Sequence, residues 1–157
     1  MKKYELTSET KIVFGHILYR IKALSSFGYV SAGDLGGFLE SEKNLSQNGN
    51  AWVSGDARVY GNAWVYGNAE VSGNAEVSEI GAIFWIGAVG SRNDTATFFR
   101  CRDGSIKVVC GCFFGNLDEF AKKVRKTHGD NDHAKVYMLA IEMAKIRIGD
   151  KKEKTEE

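Results

Sequence analysis

The chain lacks the features that would place it in a membrane or on a nucleic acid. Its 21 Lys and Arg residues are balanced by 20 Asp and Glu residues, so the formal net charge is only +1 and no strong overall field draws the protein to nucleic acid or anionic lipid. No apolar run approaches the length that crosses a bilayer, and the start of the sequence lacks the apolar core of a signal peptide. We therefore expect a cytoplasmic protein without membrane or bulk nucleic-acid partners.

Cysteine is scarce and proline is absent. The three cysteines, Cys101, Cys110 and Cys112, are odd in number. In a reducing compartment such thiols are more often small buried hydrophobic groups than disulfides. Cys110 and Cys112 could present two thiolates on one strand face, but Cys101 would not lie opposite them, so we favour structural thiols. We expect no metal and no cofactor.

A six-residue phrase repeats nearly five times between residues 50 and 78. Its second column is alanine and its fourth is valine: Ala51, Ala57, Ala63, Ala69 and Ala75, and Val53, Val59, Val65, Val71 and Val77. Alternate side chains of an extended chain share a face, so each Ala-x-Val points a small and a branched residue inward. The Gly-Asn or Gly-Asp pair after each phrase tolerates left-handed backbone angles. The sequence predicts very short strands joined by identical corners.

This phrase resembles the hexapeptide repeat of left-handed parallel β-helices, in which an inward aliphatic residue is followed four positions later by a small one, as Val53 is by Ala57. The resemblance implies three hexapeptides per coil, so that residues eighteen apart stack. The stacked pairs would be Trp52 over Glu70, Arg58 over Glu76 and Tyr60 over Ser78. The register weakens on both sides, which predicts two to three coils.

Hexapeptide-repeat proteins are commonly homotrimers, and the resemblance implies the same here. The outward aromatics would then lie partly between subunits: Trp52, Tyr60, Trp64 and Tyr66. Alternatively they form ladders on the surface of a monomer. We predict a mainly β protein with a C-terminal α+β unit, built on a short left-handed parallel β-helix and assembled as a homotrimer.

The rest of the chain divides around this repeat. We predict an N-terminal β hairpin and cap over residues 1–43, the β-helix over 44–83, a β-hairpin plus two helices over 84–148, and a disordered charged tail over 149–157. The first hairpin would turn at Gly15-His16. Four glycines would supply turns before the repeat: Gly28, Gly33, Gly36 and Gly37. The Gly36-Gly37 pair lacks the Lys-Ser/Thr ending of a phosphate loop.

Turn and capping residues organise the C-terminal region. Two strand-like runs, Thr95–Cys101 and Ser105–Phe114, are joined by an Asp103-Gly104 hairpin signal. Asn116 is a helix cap with acidic residues after it, and a second helix begins near Asp132. The segment THGDNDHA, residues 127–134, holds two histidines, His128 and His133, among carboxylates. Its spacing is not a zinc pattern, and capping explains each residue, so we favour helix punctuation over a metal site.

Four stretches together resemble small hexapeptide-repeat proteins of bacteriophages and prophages. They are LYRIKAL at 18–24, AGDLGGFLESEKNLS at 32–46, the repeat itself, and VGSRN with CGCFFG near the end. Phages also encode families of small oligomeric proteins that sequester nucleotide-like signals of bacterial defence. This association suggests a non-catalytic protein of an infected or lysogenic cell that withholds such a signal from its host.

The segment GAVGSRND, residues 87–94, is the best candidate for a ligand site. Its glycines permit close backbone approach, Ser91 and Asn93 offer hydrogen bonds, and Arg92 offers a planar fork suited to phosphate. Basic residues follow closely in the sequence, and aromatic rings could stack on a base. The predicted ligand-binding residues are Trp85, Ser91, Arg92, Asn93, Arg100, Arg102 and Lys107. The alternative is an ordinary loop in which Arg92 makes a structural salt bridge.

Two other classes of function stay open. Many hexapeptide-repeat enzymes are acyltransferases with a catalytic histidine near a subunit cleft, but the three histidines of this chain, His16, His128 and His133, all lie outside the repeat. An acyltransferase would need one of them as general base. A trimeric structural or protein-binding module, with a host protein as partner, is the remaining alternative.

Overall fold

The computed structural model describes residues 1–149, in which the chain folds as two compact units divided after Ile80. The first unit is Met1–Ile80, and the second begins at Gly81. Of the predicted disordered tail, only Gly149 is described, where it caps the last helix; residues 150–157 lie outside the described part of the chain. No helix within residues 1–149 is long and apolar enough to cross a membrane.

The first unit starts with the predicted β hairpin. Strands β1 (Tyr4–Val13) and β2 (His16–Ala23) pair antiparallel, from Tyr4 opposite Ala23 to Val13 opposite His16. Alternating apolar residues of the hairpin point inward, and Tyr4, Leu18 and Ile21 are fully buried. The prediction of a hairpin is confirmed, although its turn is Phe14-Gly15, one residue earlier than expected.

Short strands connect this hairpin to the repeat by extending its sheet. The further strands of the unit are β3 (Leu35–Leu39), β4 (Trp52–Val53), β5 (Arg58–Val59), β6 (Glu70–Val71) and β7 (Glu76–Val77). One sheet has the order β1-β2-β3-β5-β7, antiparallel up to β3 and parallel beyond it. A second sheet contains β4 and β6 in parallel, and Leu45 forms an isolated bridge with Val65.

The repeat follows its predicted local geometry. Every alanine and valine of the two columns is at most 1 % exposed, which confirms that both columns point inward. Gly55 and Gly61 each have φ of +62°, so the glycines turn the corners in the left-handed region as predicted. Trp52 pairs with Glu70, and Arg58 with Glu76, which confirms the eighteen-residue offset at these two positions.

The predicted left-handed parallel β-helix is nevertheless wrong as a fold class. Strands of the described residues lie in several antiparallel and mixed sheets, and no closed or solenoid sheet runs through them. Four of the five repeat phrases contribute only two residues to a strand, as in β5 and β7, and the third contributes only the isolated bridge at Val65. The long antiparallel hairpin continues one of these sheets through β3, so pairing outside the repeat determines the architecture.

Of the four aromatics predicted to point outward, two are exposed and two are buried. Trp64 and Tyr66 are exposed, with ring centroids 4.1 Å apart, but Trp52 and Tyr60 are buried. The Trp52 ring meets the edges of Tyr4 and Phe27. The N-terminal strands and the loop that follows them therefore cover part of the surface that the sequence assigned to subunit contacts or an exposed ladder.

The second unit is a four-stranded antiparallel sheet with a helix pair. Its strands are β8 (Ile83–Val89), β9 (Asp94–Arg100), β10 (Ile106–Cys110) and β11 (Phe113–Asn116), in the order β11-β10-β9-β8. The prediction placed β9 well, but it missed β8 and merged β10 with β11. The merged run contains the Gly111-Cys112 turn, where Gly111 has φ of +59°.

Two helices complete this unit and bury one face of its sheet. Helix α1 (Leu117–His128) begins at the predicted cap Asn116, whose side chain accepts a 2.8 Å bond from the Glu119 N–H. Helix α2 (Asp132–Ile148) begins after Asn131. Gly129 ends α1 by donating its N–H to the Arg125 carbonyl, so the predicted helix punctuation over 127–134 is confirmed.

The core of the second unit is aromatic. Phe98 from β9 packs against Phe120 of α1, and Phe120 in turn meets the face of Tyr137 of α2 edge-on. Cys101 and Cys110 are buried as predicted, whereas Cys112 is exposed in the β10–β11 turn. Burial raises the pKa of the Cys101 thiol to about 11, which keeps it protonated and unreactive near neutral pH.

Candidate functional site

Two tight turns lie side by side at one end of the sheet in the second unit. Residues 90–93 connect β8 to β9, and Gly111-Cys112 connects β10 to β11. Strands β9 and β10 are antiparallel neighbours, with Ala96 opposite Cys110. The start of β9 and the end of β10 therefore meet at this end, which we call the turn site: residues 90–94, Gly111 and Tyr137.

Arg92 and Asp94 form the polar part of the turn site. Arg92 Nε lies 3.7 Å from Asp94 Oδ2, and the arginine side chain is 73 % exposed. Both groups lie above Gly111, because a side-chain carbon placed on that glycine would be 3.2 Å from Arg92 Nη2 and 3.1 Å from Asp94 Oδ2. The ion pair is weak at such exposure, but it orients a guanidinium that solvent can reach.

The backbone around this arginine is strained. Ala88 and Asn93 adopt left-handed conformations with φ of +55° and +54°, a region that costs energy for residues with a side chain. The Asn93 N–H closes the turn on the Gly90 carbonyl at 3.3 Å. Strain of this kind concentrates at functional sites, where neighbouring structure imposes a special loop geometry.

Tyr137 forms the buried floor of the turn site. It is 8 % exposed, its hydroxyl oxygen accepts a hydrogen bond from the Cys110 thiol at 3.8 Å, and it fills the space that a side chain on Gly90 would need. Burial and then the nearby Cys110 thiol raise the Tyr137 pKa well above its ordinary value. The phenol is therefore a neutral hydrogen-bonding group at physiological pH.

Two histidines lie beside Tyr137. The His128 ring stacks on Tyr137 with centroids 5.9 Å apart and an interplanar angle of 24°, and His133 lies 5.3 Å from His128. Within residues 1–149 no group of three or more His, Cys, Asp or Glu side chains is arranged to hold a metal. The pair therefore offers flat imidazole faces next to the turn site.

The structure does not bring the seven predicted ligand residues together. Ser91, Arg92 and Asn93 share the turn site, and all three are exposed. Three of the basic and aromatic candidates lie toward the other end of the sheet or beyond it: Arg100, Arg102 and Lys107. At about 3.4 Å per residue, strand β9 separates Arg92 from Arg100 by about 20 Å.

These remaining candidates have structural contacts of their own. Arg100 donates from Nη2 to the carbonyl of Ile148, the last residue of α2, which suits a cation at a helix C-terminus. Lys107 Nζ lies 5.3 Å above the Phe114 ring. Trp85 lies opposite Thr97 in the β8–β9 pair. Phe84 and Phe98 lie on the other face of the sheet, where they pack in the core against the helices.

The first unit contains a separate polar pair, His16 and Glu40. His16 Nδ1 lies 2.7 Å from Glu40 Oε2, and Glu40 Oε1 accepts the Gly61 N–H at 2.9 Å. The bond from His16, followed by the bond from Gly61, lowers the Glu40 pKa. An ionised carboxylate only accepts hydrogen bonds, so Nδ1 donates a proton to Glu40 and Nε2 is the ring nitrogen left outside this bond.

A second polar group adjoins this pair through Tyr60. The Tyr60 ring centroid is 4.9 Å from that of His16, and its hydroxyl donates to Glu76 Oε2 at 3.2 Å. Arg58 donates to the other oxygen of Glu76 at 3.3 Å. Burial, and then the Glu76 charge, raise the Tyr60 pKa to about 12. Glu76 thus holds Tyr60 beside the histidine and also binds Arg58.

Sequence reasoning missed several residues of these two sites. Tyr137 was not among the predicted ligand residues, and Gly111 was hidden inside the strand-like run Ser105–Phe114. Gly111 could have predicted a second hairpin, because a glycine between two strand-forming segments is typical of a turn. His16 and Glu40 are 24 positions apart in sequence, and they come together because β2 pairs with β3. No local sequence pattern predicts this contact.

The chain matches no protein-family model, and a comparison with curated proteins found no match. The resemblance to phage and prophage hexapeptide-repeat proteins, drawn from motifs of the sequence, therefore stays a prediction.

Proposed function

We propose that this protein is a non-catalytic binder of a small anionic, nucleotide-like ligand, and that the turn site holds its phosphate. The observation that carries the proposal is the exposed Arg92 guanidinium in the strained turn at residues 90–93. This group lies next to Asp94 and above Gly111 of the neighbouring turn. Acting in the cytoplasm of an infected or lysogenic bacterium, such a protein withholds a defence signal from its host receptor.

The chemistry of the turn site suits a phosphate group. A guanidinium binds phosphate through two parallel N–H donors, a geometry that an ammonium cannot provide. Asp94 Oδ2 lies 3.7 Å from Arg92 Nε, and Arg92 Nη2 lies on the side of Gly111. Ser91 and Asn93 add exposed hydrogen-bonding groups in the same turn.

The histidine pair gives the proposed ligand a second point of contact. His128 stacks on the buried Tyr137, whose hydroxyl lies at Gly90 of the same turn. An aromatic base stacks on a flat imidazole in the way that bases stack on other rings. Phosphate at Arg92 and a base at His128 together describe a nucleotide rather than a simple inorganic anion.

Arg92→Ala is expected to weaken nucleotide binding at least tenfold, equivalent to about 1.4 kcal/mol. The measurement is isothermal titration calorimetry with a cyclic dinucleotide, ATP and inorganic phosphate as probes. The matched control is Arg102→Ala, which removes the same exposed group from the opposite end of the sheet and should leave the affinity unchanged. Equal losses in the two variants would contradict a phosphate site at Arg92.

Native mass spectrometry identifies the natural ligand. The protein is purified from bacteria that produce defence nucleotides, and any adduct is released by denaturation and weighed. A nucleotide-sized adduct that is missing from Arg92→Ala supports sequestration. An empty protein from cells in which the signals are shown to be abundant contradicts it.

The His16–Glu40 pair favours general-base catalysis, as in a hexapeptide acyltransferase, as a second candidate function. Glu40 holds the imidazole at 2.7 Å with Nε2 available, and the His16 side chain is 39 % exposed. If an acyl group is transferred from acyl-CoA, His16→Ala should lower the rate of CoA release by at least about a hundredfold, the usual contribution of a positioned base.

Two variants separate catalysis from structure in that assay. Glu40→Gln keeps the shape but loses the carboxylate that orients the ring, and a smaller loss of rate is expected. His133→Ala removes an exposed imidazole of the other unit and should have no effect on the rate. Absence of CoA release with a broad panel of hydroxyl and amine acceptors would rule out this candidate.

A further inference from the structure

Helix α2 presents apolar side chains on two opposite faces. The inner face packs into the core of the second unit through Tyr137, Ala140, Ile141, Ala144 and Ile148. The outer face carries four exposed apolar residues: Val136 at 40 %, Leu139 at 64 %, Met143 at 47 % and Ile146 at 85 % exposure. Their spacing of three, four and three residues places them in one stripe, which we call the α2 seam.

We propose that the α2 seam joins this protein to further copies of itself, with the helices parallel. A spacing of three and four is that of positions a and d in a coiled coil, with Val136 and Met143 at a and Leu139 and Ile146 at d. A second copy necessarily presents the same spacing.

The charged residues beside the seam determine the orientation. In this heptad assignment Glu142 is at position g and Arg147 at position e, five residues later. Parallel helices bring g of one copy next to e of the other, so Glu142 faces Arg147 of the second copy. Antiparallel helices aligned on the same seam bring the two Glu142 carboxylates together, where they repel each other.

The size of the seam indicates weak association. A helix of 17 residues is about 25 Å long, and four side chains per copy bury less than the roughly 1,200–2,000 Å² of a stable interface. We therefore expect dissociation constants on the order of micromolar or weaker. Either two or three parallel helices can share such a seam, and the contact does not depend on the bound ligand.

Sedimentation equilibrium of the full chain between about 1 μM and about 1 mM tests the α2 seam. The wild-type protein should associate into dimers or trimers, and Leu139→Asp should raise the dissociation constant at least tenfold. The control Ile12→Asp alters another exposed apolar residue, at the tip of the first hairpin, and should have no effect. A wild-type monomer at every concentration, or loss of association only in Ile12→Asp, overturns the proposal.

Charge reversal distinguishes a lost contact from a folding defect. Glu142→Arg should weaken association, and adding Arg147→Glu should restore it, because the double variant rebuilds the same pair with opposite signs. Circular dichroism should show folded protein throughout, since both side chains are exposed. A double variant that stays as weak as Glu142→Arg overturns the predicted pairing.

A disulfide test reports the orientation directly. In a Cys112→Ser background, which removes the exposed native thiol, Leu139→Cys should form a disulfide with itself between parallel copies under mild oxidation. Antiparallel copies would place residue 139 opposite residue 143. Cross-linking only between a Leu139→Cys chain and a Met143→Cys chain would therefore overturn the parallel arrangement.

Discussion

Gly36→Ala is expected to lower the free energy of unfolding by about 3 kcal/mol, because β3 lies directly on the repeat at this residue. A methyl carbon on Gly36 would be 2.6 Å from both Ile21 Cγ1 and the Val53 carbonyl oxygen, and 2.7 Å from Trp52 Cζ2. These atoms belong to a fully buried side chain, a backbone and a large packed ring, so none can move aside without wider rearrangement.

Urea denaturation followed by far-UV circular dichroism measures this loss. Gly87→Ala is the matched control: it also lies in a strand, but its nearest foreign atom to an added methyl is Thr95 Oγ1 at an ordinary 3.7 Å. The control should change the free energy of unfolding by about 1 kcal/mol or less. A Gly36→Ala protein as stable as this control would show that β3 can withdraw from the repeat.

The same glycine illustrates where sequence reasoning failed. Gly36 and Gly37 were assigned to turns, because adjacent glycines usually interrupt strands. In the structure both lie inside β3, where a second chain segment needs the space of their side chains. That segment is the repeat, and no local pattern encodes which part of the N-terminal region will pack against it.

Local features of the structure were predictable, because they depend on short-range interactions. The Ala and Val columns, the corner glycines and the caps Asn116 and Gly129 depend on neighbours within a few residues. The fold class was not predictable, because it depends on β3 pairing with β5, where Phe38 meets Arg58. Twenty positions separate these residues, and the predicted solenoid took only the repeat into account.

The candidate site shows the same limit. Residues 91–93 were correctly placed in a loop, since polar residues and glycines cluster there. Arg100 was added because it is close in sequence, yet an extended strand carries it away from Arg92. Tyr137 is 45 positions from Arg92 in sequence, but its hydroxyl lies against the same turn. Closeness in sequence is a poor guide to closeness in space whenever a strand intervenes.

The free energy of unfolding is expected to rise between pH 7.5 and pH 9, because the first unit buries an amine. Lys3 is 5 % exposed, and its Nζ donates to the carbonyls of Ala51 at 2.7 Å and Gly49 at 3.4 Å. The Phe27 ring lies 4.8 Å away. Burial lowers the pKa of Lys3 to about 8, from its ordinary value near 10.5.

The sign of this dependence follows from proton binding. Between pH 8 and pH 10.5 the unfolded chain keeps a proton that the folded chain has lost, so raising the pH favours the folded state. The whole interval corresponds to about 3 kcal/mol. From pH 9 upward the raised pKa values of Cys101 and Tyr60 act in the opposite direction, since these groups ionise more readily when unfolded. We therefore expect a visible gain of about 1 kcal/mol, with a maximum near pH 9.

Urea denaturation of the wild type and of Lys3→Met at each pH isolates this contribution. Methionine has a similar volume and no ionisable group, so the variant should lack the rise while it keeps the decline above pH 9. Lower stability of the variant at every pH is compatible with this account, because the carbonyls of Ala51 and Gly49 lose their donor. An equal rise in both proteins would assign the pH dependence to another group, and a flat wild-type profile would mean that Lys3 reaches solvent when protonated.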